Sequence, residues 1–435
     1  MARKIRVLEV VRPAAGGMKK HVQGLIQGLD RGRFEVFLAA PKDEAFGQWA
    51  TLEGVGYVPL EISHRMLTPS DVIACLKLRN LIRAIQPDIC HFHGFKAAAV
   101  GRVAVAAMNG PQVVYTVHNS VLSRSNAHFL PTSSSAAARS SSSHPAGRRS
   151  FASKGRFHFS KLQRKMCLYT EHALAEFTHR VIAVSKDIYQ EYSAIPSLGQ
   201  EKTRYIPNGI DLKRFCMTTP FESRRCEDAK KDLGCETETP VVGLVSRLIP
   251  DKGVKTFLLA VALLRRMGLA PQVLIAGDGP SRSELEALAK ELGLFGQVRF
   301  LGFIDDMVSF YAALDVFVLS SFSEGTPLAL IEAMAVGVPV VATRTGGVEE
   351  IVAARGGGAE EADTPDAGRL VAPGDADAMA ACIRDTILYP EKSRILADKA
   401  KLYVKENFSL EEMVRKTEEV YEEVLACPGP KELQH

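Results

Sequence analysis

The sequence contains no hydrophobic run long enough to span a membrane. A spanning helix needs roughly 18–20 apolar residues, and the nearest candidate, 97–108, is shorter and is interrupted by Arg102. The apolar run near the amino terminus, in MARKIRVLEVV, is too short for the core of a secretory signal peptide, and no small-residue cleavage site follows it. These absences predict a cytoplasmic protein without an integral membrane segment.

Cysteine pairs and the common glycine fingerprints are also missing. The 8 cysteines are scattered, none forms a C-x-x-C pair, and their spacing fits no zinc site, which is typical of a reducing compartment. The pair Gly16 and Gly17 is not the G-x-G-x-x-G fingerprint of dinucleotide-binding enzymes, and 276–280 lacks the lysine and hydroxyl residue of a P-loop. The D-x-D at 375–377 precedes a helical pattern, so Asp375 is predicted to cap a helix rather than to bind a metal.

Acidic residues are absent between Asp88 and Glu171, although this stretch contains eleven Lys and Arg. Residues 1–205 carry 28 basic and 14 acidic side chains, whereas the remainder carries 26 basic and 36 acidic ones. A basic half of this kind predicts an anionic partner. Nucleic acid, an anionic lipid surface and a pyrophosphate-bearing substrate all fit the charge, which by itself does not choose among them.

Short β-branched runs alternate with helical patterns along the chain, which is typical of parallel α/β units. The predicted strands of the first half are Ile5–Val11, Phe34–Ala40, 88–93, 112–118 and 180–184, and those of the second half are 241–246, 273–277, Val298–Gly302, 315–320 and 339–343. A chain of 435 residues exceeds what one core usually organises. The pattern therefore predicts two doubly wound, Rossmann-like domains with a ligand cleft between them.

The predicted domain limits follow from the same pattern. Residues 1–205 form the first domain, 206–238 a polar junction, 239–407 the second domain, and 408–435 a C-terminal helix and tail that packs back toward the first domain. Within the first domain, 123–156 is basic and rich in Ser and Ala, which predicts a mobile insertion at the edge of the cleft. An acceptor or membrane contact is one interpretation of this insertion, and a tolerated insertion without a role is the favoured one.

The densest set of candidate functional residues lies between 315 and 347. Glu324 follows a predicted strand at its carboxyl end, where α/β sheets bind ligands, and Pro327 is predicted to open a helix. The backbone amides of Gly325, Thr326 and Leu328 would surround the N-terminus of that helix. Because unpaired N–H groups and the helix dipole both favour negative charge, this end of the helix is a candidate anion site.

Glu332 lies eight residues after Glu324, and this E-x₇-E block resembles that of the retaining glycosyltransferases of family 4, also called group 1, which have the GT-B fold. The resemblance implies that Glu324 contacts the transferred sugar and that Glu332 contacts the nucleotide ribose. A second block, VGLVSRLIPDKG, resembles the family's G-R-L-x-x-x-K-G motif, with Ser246 in place of the usual glycine. Its Arg247 and Lys252 would bind the donor diphosphate, since fixed cations stabilise a departing anion.

Weaker matches occur in the expected order in the rest of the chain. Gly16 and Gly17 resemble the family's glycine loop near the diphosphate and the acceptor, and His118 matches a histidine that approaches the donor sugar. The segment 206–211 resembles a P-N-G-[IV]-D junction, and 301–304 resembles the segment whose backbone meets the nucleotide base. The resemblance implies the catalytic residues Glu324, His118, Arg247 and Lys252. It implies a donor site of Gly16, Gly17, Arg247, Lys252, Gly302, Phe303, Ile304, Glu324, Gly325, Thr326, Pro327, Leu328 and Glu332.

The activity implied by the resemblance is transfer of a hexose from a nucleotide-diphosphate sugar, with a UDP-sugar favoured, to a hydroxyl acceptor, with retention at the anomeric carbon. It requires no metal and no other cofactor. The basic first domain favours a glycan or lipid-linked acceptor and peripheral contact with an anionic inner membrane face over nucleic acid. The alternatives are another GT-B enzyme, such as a sugar-nucleotide epimerase or a phosphorylase, or a non-catalytic binding protein that uses the basic half.

Overall fold

The computed structural model describes residues 3–12, 16–63, 68–106, 108, 110–119, 161–216, 222–353 and 367–426. The predicted insertion at 123–156 lies outside these described residues.

Seven parallel strands form the first sheet of the described chain. They are β1 (Ile5–Val11), β2 (Phe34–Ala40), β3 (Gly56–Pro59), β4 (Ile89–His93), β5 (Gln112–Val117), β6 (Arg180–Ala183) and β7 (Thr203–Tyr205). Their order across the sheet is β3-β2-β1-β4-β5-β6-β7. The chain thus begins in the middle of the sheet and winds outward in both directions, which is the doubly wound arrangement.

Six parallel strands form the second sheet. They are β8 (Val241–Val245), β9 (Gln272–Ala276), β10 (Val298–Gly302), β11 (Val316–Leu319), β12 (Val340–Thr343) and β13 (Arg369–Val371). Their order is β10-β9-β8-β11-β12-β13. The central strands β8 and β11 are apolar and almost wholly buried, as expected for parallel strands that helices cover on both faces.

Helices connect the strands and cover both sheets. Those that accompany the first sheet are α1 (Gly17–Gly28), α2 (Glu44–Leu52), α3 (Pro69–Ile85), α4 (Phe95–Val105), α5 (Lys161–Leu174), α6 (Lys186–Ser193) and α7 (Gly199–Lys202). The remaining helices are α8 (Leu212–Phe215), α9 (Glu222–Asp232), α10 (Val254–Arg266), α11 (Arg282–Glu291), α12 (Met307–Ala312), α13 (Leu328–Val336), α14 (Gly346–Val352), α15 (Ala376–Leu388), α16 (Pro390–Asn407) and α17 (Leu410–Ala426).

The chain crosses between the two sheets at two adjacent segments. Ile210, after the first sheet, pairs with Ser409, which precedes the last helix. Helix α17 then packs on α1, and its Tyr421 is fully buried in the apolar core of the first domain. Phe215 of α8, a helix within the predicted junction, packs instead in the core of the second domain.

All ten predicted strands are present, with ends shifted by no more than two residues. The short strands β3, β7 and β13 were not predicted, and each of them lies at an edge of its sheet. An edge strand of three or four residues buries few side chains, so it has no apolar run to reveal it. Pro327 was predicted in the first turn of α13 but is its N-cap residue, whereas Asp375 caps α15 as predicted and accepts from the amide of Ala378 at 2.9 Å.

Candidate active site

The candidate site lies where the carboxyl ends of the two sheets face each other. In a doubly wound sheet, ligands bind at the point where the strand order reverses, which is between β1 and β4 in the first sheet and between β8 and β11 in the second. The loops at these points contain the predicted glycine pair after β1, the predicted cations after β8, and Glu324 after β11. Topology therefore gathers side chains that are far apart in the sequence.

Glu324 is held by partners on the second sheet. Its Oε1 accepts from Nζ of Lys252 at 2.7 Å and from the hydroxyl of Ser321 at 2.6 Å. The loop that contains Lys252 lies directly against the end of β11. Glycine at 253 permits this approach, since its φ is +63° and a β-carbon there would collide with the carbonyl oxygen of Ser320. This close approach positions the Lys252 cation on the Glu324 carboxylate.

Glu332 lies on the buried side of α13, with only 3% of its surface exposed. Its Oε2 accepts from the hydroxyl of Tyr311 at 2.9 Å, and its Oε1 accepts from Nζ of Lys20 at 2.7 Å. Lys20 belongs to α1 of the first domain, so this ion pair joins the two domains. Lys20 was not predicted from the sequence, where its one signal was its position three residues after Gly17.

The loop after Glu324 contacts the first domain directly. The amide of Gly325 donates to Oδ1 of Asn119 at 3.2 Å, and the hydroxyl of Thr326 donates to the carbonyl of Val184. The side-chain Nδ2 of Asn208 donates to the backbone carbonyl of Thr326 at 2.8 Å. The Gly325 amide, predicted to be available to an anion, is therefore bonded to Asn119 in this arrangement, and the sequence analysis identified neither Asn119 nor Val184.

Two guanidinium groups come together beside the glycine loop. A β-carbon placed on Gly16 would lie 3.9 Å from Cγ of Arg247, and one placed on Gly17 would lie 4.0 Å from Cδ1 of Leu328. Burial, and then the nearby charge of Arg247, lower the pKa of Arg12. Two like charges in one half-buried pocket favour a bound anion that neutralises both. Arg12 was missed by the sequence analysis, although it directly follows β1.

His118 lies at the end of β5 within a group of four histidines. Its Nε2 is 3.3 Å from Nδ1 of His93, and the ring of His21 packs edge-on against it with centroids 4.7 Å apart. The carbonyl oxygen of His118 lies so close to Gly325 that a β-carbon there would collide with it. His118 thus lies at the boundary between the domains.

A buried carboxylate lies behind this histidine group. Glu9 of β1 is fully buried and accepts from Nε2 of His93 at 2.7 Å. Burial lowers the pKa of His93 to about 4 and that of His21 to about 3, and burial also lowers the pKa of His118. Burial acts against the charged form of Glu9, but the neighbouring His91 and His93 outweigh it and lower the pKa of Glu9.

Two triads in this group have the side chains that a metal ion would need. The triads are His21 with His93 and His118, and Glu9 with His91 and His93, and within each the ligand atoms lie within 4.8 Å of one another. The facing nitrogens of His93 and His118 are already hydrogen-bonded to each other, as are His93 and Glu9. In this structure the side chains of Glu9, His93 and His118 therefore form a hydrogen-bonded network.

The predicted base-binding segment, 301–304, begins within the carboxyl end of β10. The carbonyl of Gly302 accepts from the amide of Gly277 at 2.6 Å, which fixes the segment next to the end of β9. Phe303 is 71% exposed. Gly277 in turn lies against the carbonyl oxygen of Ser246, so the segment 302–304 presents backbone and an aromatic ring near the loop that contains Arg247.

Within the described residues, no helix has the length and apolar character needed to cross a membrane.

Comparison with known families and proteins gives two matches that together include most of the chain. Residues 15–214 match the sequence model of Glycosyltransferase Family 4, and residues 226–403 match that of Glycosyl transferases group 1.

Curated relatives match over parts of their length. A GDP-mannose-dependent monoacylated alpha-(1-6)-phosphatidylinositol monomannoside mannosyltransferase of Corynebacterium glutamicum is 30% identical over 218 residues, which are 48% of this chain and 53% of the relative. A UDP-Gal:alpha-D-GlcNAc-diphosphoundecaprenol alpha-1,3-galactosyltransferase of Escherichia coli is 26% identical over 284 residues, which are 64% of this chain and 63% of the relative. The chain spans about half the length of the curated relatives it matches.

Solved structures match over nearly the whole chain. HepE of Anabaena, crystallised in complex with UDP and glucose, has a TM-score of 0.73 at 22% identity and covers 96% of this chain and 99% of its own. The sucrose-phosphate synthase of Thermosynechococcus elongatus has a TM-score of 0.72 at 23% identity, with 98% and 100% covered. With its two doubly wound sheets and both family matches, the chain belongs to the group 1, family 4 glycosyltransferases of GT-B fold.

Proposed function

We propose that this protein is a retaining glycosyltransferase that moves a hexose from a nucleoside-diphosphate sugar to a hydroxyl acceptor. The observation that carries the proposal is the pairing of Glu324 with Lys252 at the switch point of the second sheet, opposite Arg12 and the glycine loop of the first. This arrangement combines an acceptor for sugar hydroxyls with cations for a diphosphate in one cleft. The family membership supports the same activity.

The proposed reaction needs no protein nucleophile. The bond between the anomeric carbon and the diphosphate oxygen breaks, and the acceptor oxygen forms its bond on the same face of the sugar. The acceptor proton passes to the departing diphosphate. Arg247, Lys252 and Arg12 stabilise the charge that develops on this leaving group, while Glu324 and His118 orient the sugar, and closure of the domains excludes water.

A UDP-sugar is the proposed donor, and no metal is needed. The matched structure of HepE contains UDP and glucose, while relatives named for GDP-mannose and UDP-Gal show that the family uses more than one base. The three cations of the cleft supply the charge that a metal would otherwise supply. We therefore expect the rate of donor turnover to be unchanged by EDTA.

The test is a panel of UDP-, GDP- and ADP-sugars, each monitored for slow donor hydrolysis with and without EDTA. We expect one donor class to be hydrolysed, and Glu324→Gln to lower that rate at least about tenfold, since it removes the charge that Lys252 and the sugar share. Glu291→Gln, at the exposed end of α11, is the control. Unchanged turnover in Glu324→Gln would contradict the role of Glu324, and strict dependence on a metal would contradict the metal-free mechanism.

The same assay separates the alternatives. A free sugar nucleotide with an inverted centre would indicate an epimerase, and phosphate-dependent release of sugar phosphate would indicate a phosphorylase. Donor binding without any turnover, in the presence of acceptors, would indicate a non-catalytic binding protein. Transfer with inversion would retain the glycosyltransferase and reject the retaining mechanism.

The proposed acceptor is a glycan or lipid-linked glycan at an anionic membrane surface. Helix α3 of the first domain exposes Val72, Ile73 and Leu76 by 62%, 56% and 56%, next to the exposed cations Lys77 and Arg83. An apolar patch flanked by cations is the composition that binds an anionic lipid interface. Relatives named for phosphatidylinositol and diphosphoundecaprenol acceptors support a role in glycolipid or cell-surface polysaccharide synthesis at the inner membrane face.

Vesicle sedimentation tests the membrane contact. We expect binding to phosphatidylglycerol vesicles that weakens with salt, and a clear loss of binding in Ile73→Ser/Leu76→Ser. The control is Leu52→Ser, which removes an apolar residue of α2 that is even more exposed, at 88%. Equal binding to neutral phosphatidylcholine vesicles, or no effect of the double substitution, would reject this surface.

A further inference from the structure

An unbroken series of hydrogen bonds joins the C-terminal helix to His118. Tyr421 of α17 is fully buried, and its hydroxyl donates to Oε1 of Glu9 at 2.8 Å. Oε2 of the same carboxylate lies 2.7 Å from Nε2 of His93, and Nδ1 of His93 lies 3.3 Å from Nε2 of His118. We call Tyr421, Glu9, His93 and His118 the histidine chain.

The direction of each hydrogen bond follows from the one carboxylate in the chain. An ionised carboxylate only accepts hydrogen bonds, so the proton between Glu9 and His93 belongs to Nε2 of His93. The Tyr421 hydroxyl proton also points at Glu9, and its oxygen accepts from Nδ1 of His91 at 2.7 Å. Every polar atom that faces Glu9 is therefore a donor.

His93 passes this direction on to His118. A neutral imidazole has one N–H and one lone pair, so with Nε2 protonated, Nδ1 of His93 is an acceptor. The bond of 3.3 Å to His118 then requires the proton on Nε2 of His118. The second nitrogen of His118, Nδ1, keeps a lone pair, and the residue as a whole is half-buried at the boundary between the domains.

We infer that Glu9, His93 and Tyr421 are positioning residues that hold His118 in the Nε2–H tautomer, so that its Nδ1 accepts a hydrogen bond from a hydroxyl group of the transferred sugar. The inference rests on the proposed function for the identity of the ligand, but the tautomer itself does not depend on it. The chain makes His118 selective for a group that donates a proton. A group that only accepts hydrogen bonds, such as fluorine at the same carbon, would face the lone pair of His118 Nδ1 and form no hydrogen bond with it.

The charge states of the chain agree with this assignment. The neighbouring histidines keep the pKa of Glu9 below its usual value despite burial, so the carboxylate is ionised at neutral pH. Burial lowers the pKa of His93 to about 4 and holds that of His118 well below its usual value, so both rings are neutral. The position of the proton on each neutral ring is then the one state left to be determined. The hydrogen bond from His93 to Glu9 determines it.

Nuclear magnetic resonance tests the tautomer without any activity measurement. Correlation of ring ¹⁵N with ring carbon-bound protons distinguishes the two tautomers of each histidine, and His118→Gln identifies the signals of His118. We expect the Nε2–H tautomer for His93 and His118 in the wild-type protein at pH 7.5. The Nδ1–H tautomer of His118, an equal mixture, or a doubly protonated ring would overturn the inference, whatever the variants do.

Glu9→Gln should reverse the direction of the hydrogen bonds from residue 9 through His93 to His118. Its amide oxygen accepts from Tyr421 as the carboxylate did, which turns the amide N–H₂ toward His93. Nε2 of His93 then becomes the acceptor, its proton moves to Nδ1, and His118 takes the Nδ1–H form. The matched control is Glu35→Gln, the same substitution on the neighbouring strand β2, where the side chain contacts Arg6. Unchanged His118 signals in folded Glu9→Gln would overturn the inference.

Binding of four deoxyfluoro analogues of UDP-glucose, fluorinated in turn at each sugar hydroxyl, tests the consequence for the ligand. In the wild-type protein we expect one analogue to bind at least about tenfold more weakly than UDP-glucose, because fluorine leaves the Nδ1 acceptor unpaired. In Glu9→Gln this penalty should fall below about threefold, with UDP affinity unchanged. Equal penalties in both proteins would reject the sugar contact.

The two levels of failure are distinguishable. If wild-type protein binds neither UDP-glucose nor UDP, the proposed donor is wrong, and the resonance experiment still decides the tautomer. If UDP-glucose binds but His118 has the other tautomer, the proposed function stands and the histidine chain does not have the role inferred here.

Discussion

Arg12 and Arg247 show how the fold brings together single cations from different domains. Each guanidinium belongs to a loop at the carboxyl end of a central strand, β1 or β8, and the two approach closely enough that Arg247 contributes to lowering the pKa of Arg12. An anion bound near both groups would reduce the repulsion between them, which is the basis of the proposed diphosphate contact.

We predict that Arg12→Met weakens the binding of a nucleoside diphosphate about 10- to 100-fold, because a charge-assisted hydrogen bond is lost. The affinity for the corresponding nucleoside should change less than about twofold, since it lacks the phosphates. Isothermal titration of UDP and uridine against both proteins measures the difference. An equal loss for both ligands would mean that Arg12 supports the fold rather than the diphosphate.

The buried histidines predict a loss of stability in mild acid. Burial lowers the pKa of His93 to about 4 and that of His21 to about 3, from 6.5 in the exposed state. As the pH falls below about 6.5, these histidines become protonated in the unfolded chain but stay neutral in the native protein. The free energy of unfolding therefore falls by about 1.4 kcal/mol per pH unit for each histidine. The decrease for His93 ends near pH 4, and Glu9 adds a further loss only below about pH 4.5.

Urea unfolding at pH 7, 6, 5 and 4 measures this dependence. His21→Phe removes one titrating ring and should reduce the slope between pH 6 and pH 4 by about 1.4 kcal/mol per unit. A slope that stays unchanged in this variant would show that His21 titrates normally in the native protein.

At the scale of elements, helix α5 is attached to the first domain by a buried ion pair. Nη1 of Arg102, on α4, donates to Oε2 of Glu171 at 2.9 Å, and neither side chain is exposed. The guanidinium carbon also lies 5.1 Å from the centre of the Tyr115 ring. A buried pair contributes little net stability, but the removal of one partner leaves an uncompensated charge. The helix therefore depends on both partners being present.

We predict that Glu171→Ala destabilises the first domain by about 3–5 kcal/mol, because the Arg102 charge stays buried without its counter-ion. The double substitution Arg102→Met/Glu171→Leu should recover most of that loss, since neither charge remains. Urea midpoints of the wild type and both variants test this. A double variant no more stable than Glu171→Ala would show that packing, and not the charge, holds α5 in place.

At the scale of the whole molecule, the two domains meet closely at Gly325. Its amide bonds to Asn119, the next residue bonds to Val184, and a β-carbon at this position would collide with the carbonyl of His118. The Lys20–Glu332 ion pair joins the domains a second time. The arrangement of the domains thus depends on a few direct contacts around the candidate site.

We predict that Gly325→Ala opposes the closed arrangement by about 1–3 kcal/mol, which corresponds to about a 5- to 150-fold shift in population. Donor turnover should fall accordingly, and the radius of gyration from X-ray scattering should increase. Gly110→Ala, on the surface and with only a side chain at 3.9 Å, is the control. Wild-type turnover in Gly325→Ala would show that this contact is not needed for activity.

The fold and the family were predictable from the sequence, and both predictions are confirmed. Most strands of the two sheet interiors are rich in buried apolar residues. The motifs around Arg247, Glu324 and Glu332 are contiguous segments, so local pattern suffices for both. The edge strands β3, β7 and β13 have too few buried side chains for such a pattern. The roles of the predicted site residues stay predictions, although the structure brings Glu324 and Lys252 into contact.

Only the tertiary structure decided which residues meet. Lys20 and Glu332 are 312 positions apart, and His91 and Tyr421 are 330 apart. Such contacts depend on how two sheets face each other and on the return of α17 to the first domain, and no periodicity or spacing encodes them. The sequence by itself therefore determined the two domains and the family of this protein, because these follow from local burial and contiguous motifs. The partners of Glu332 and the hydrogen-bonded state of His118 follow from packing between distant segments.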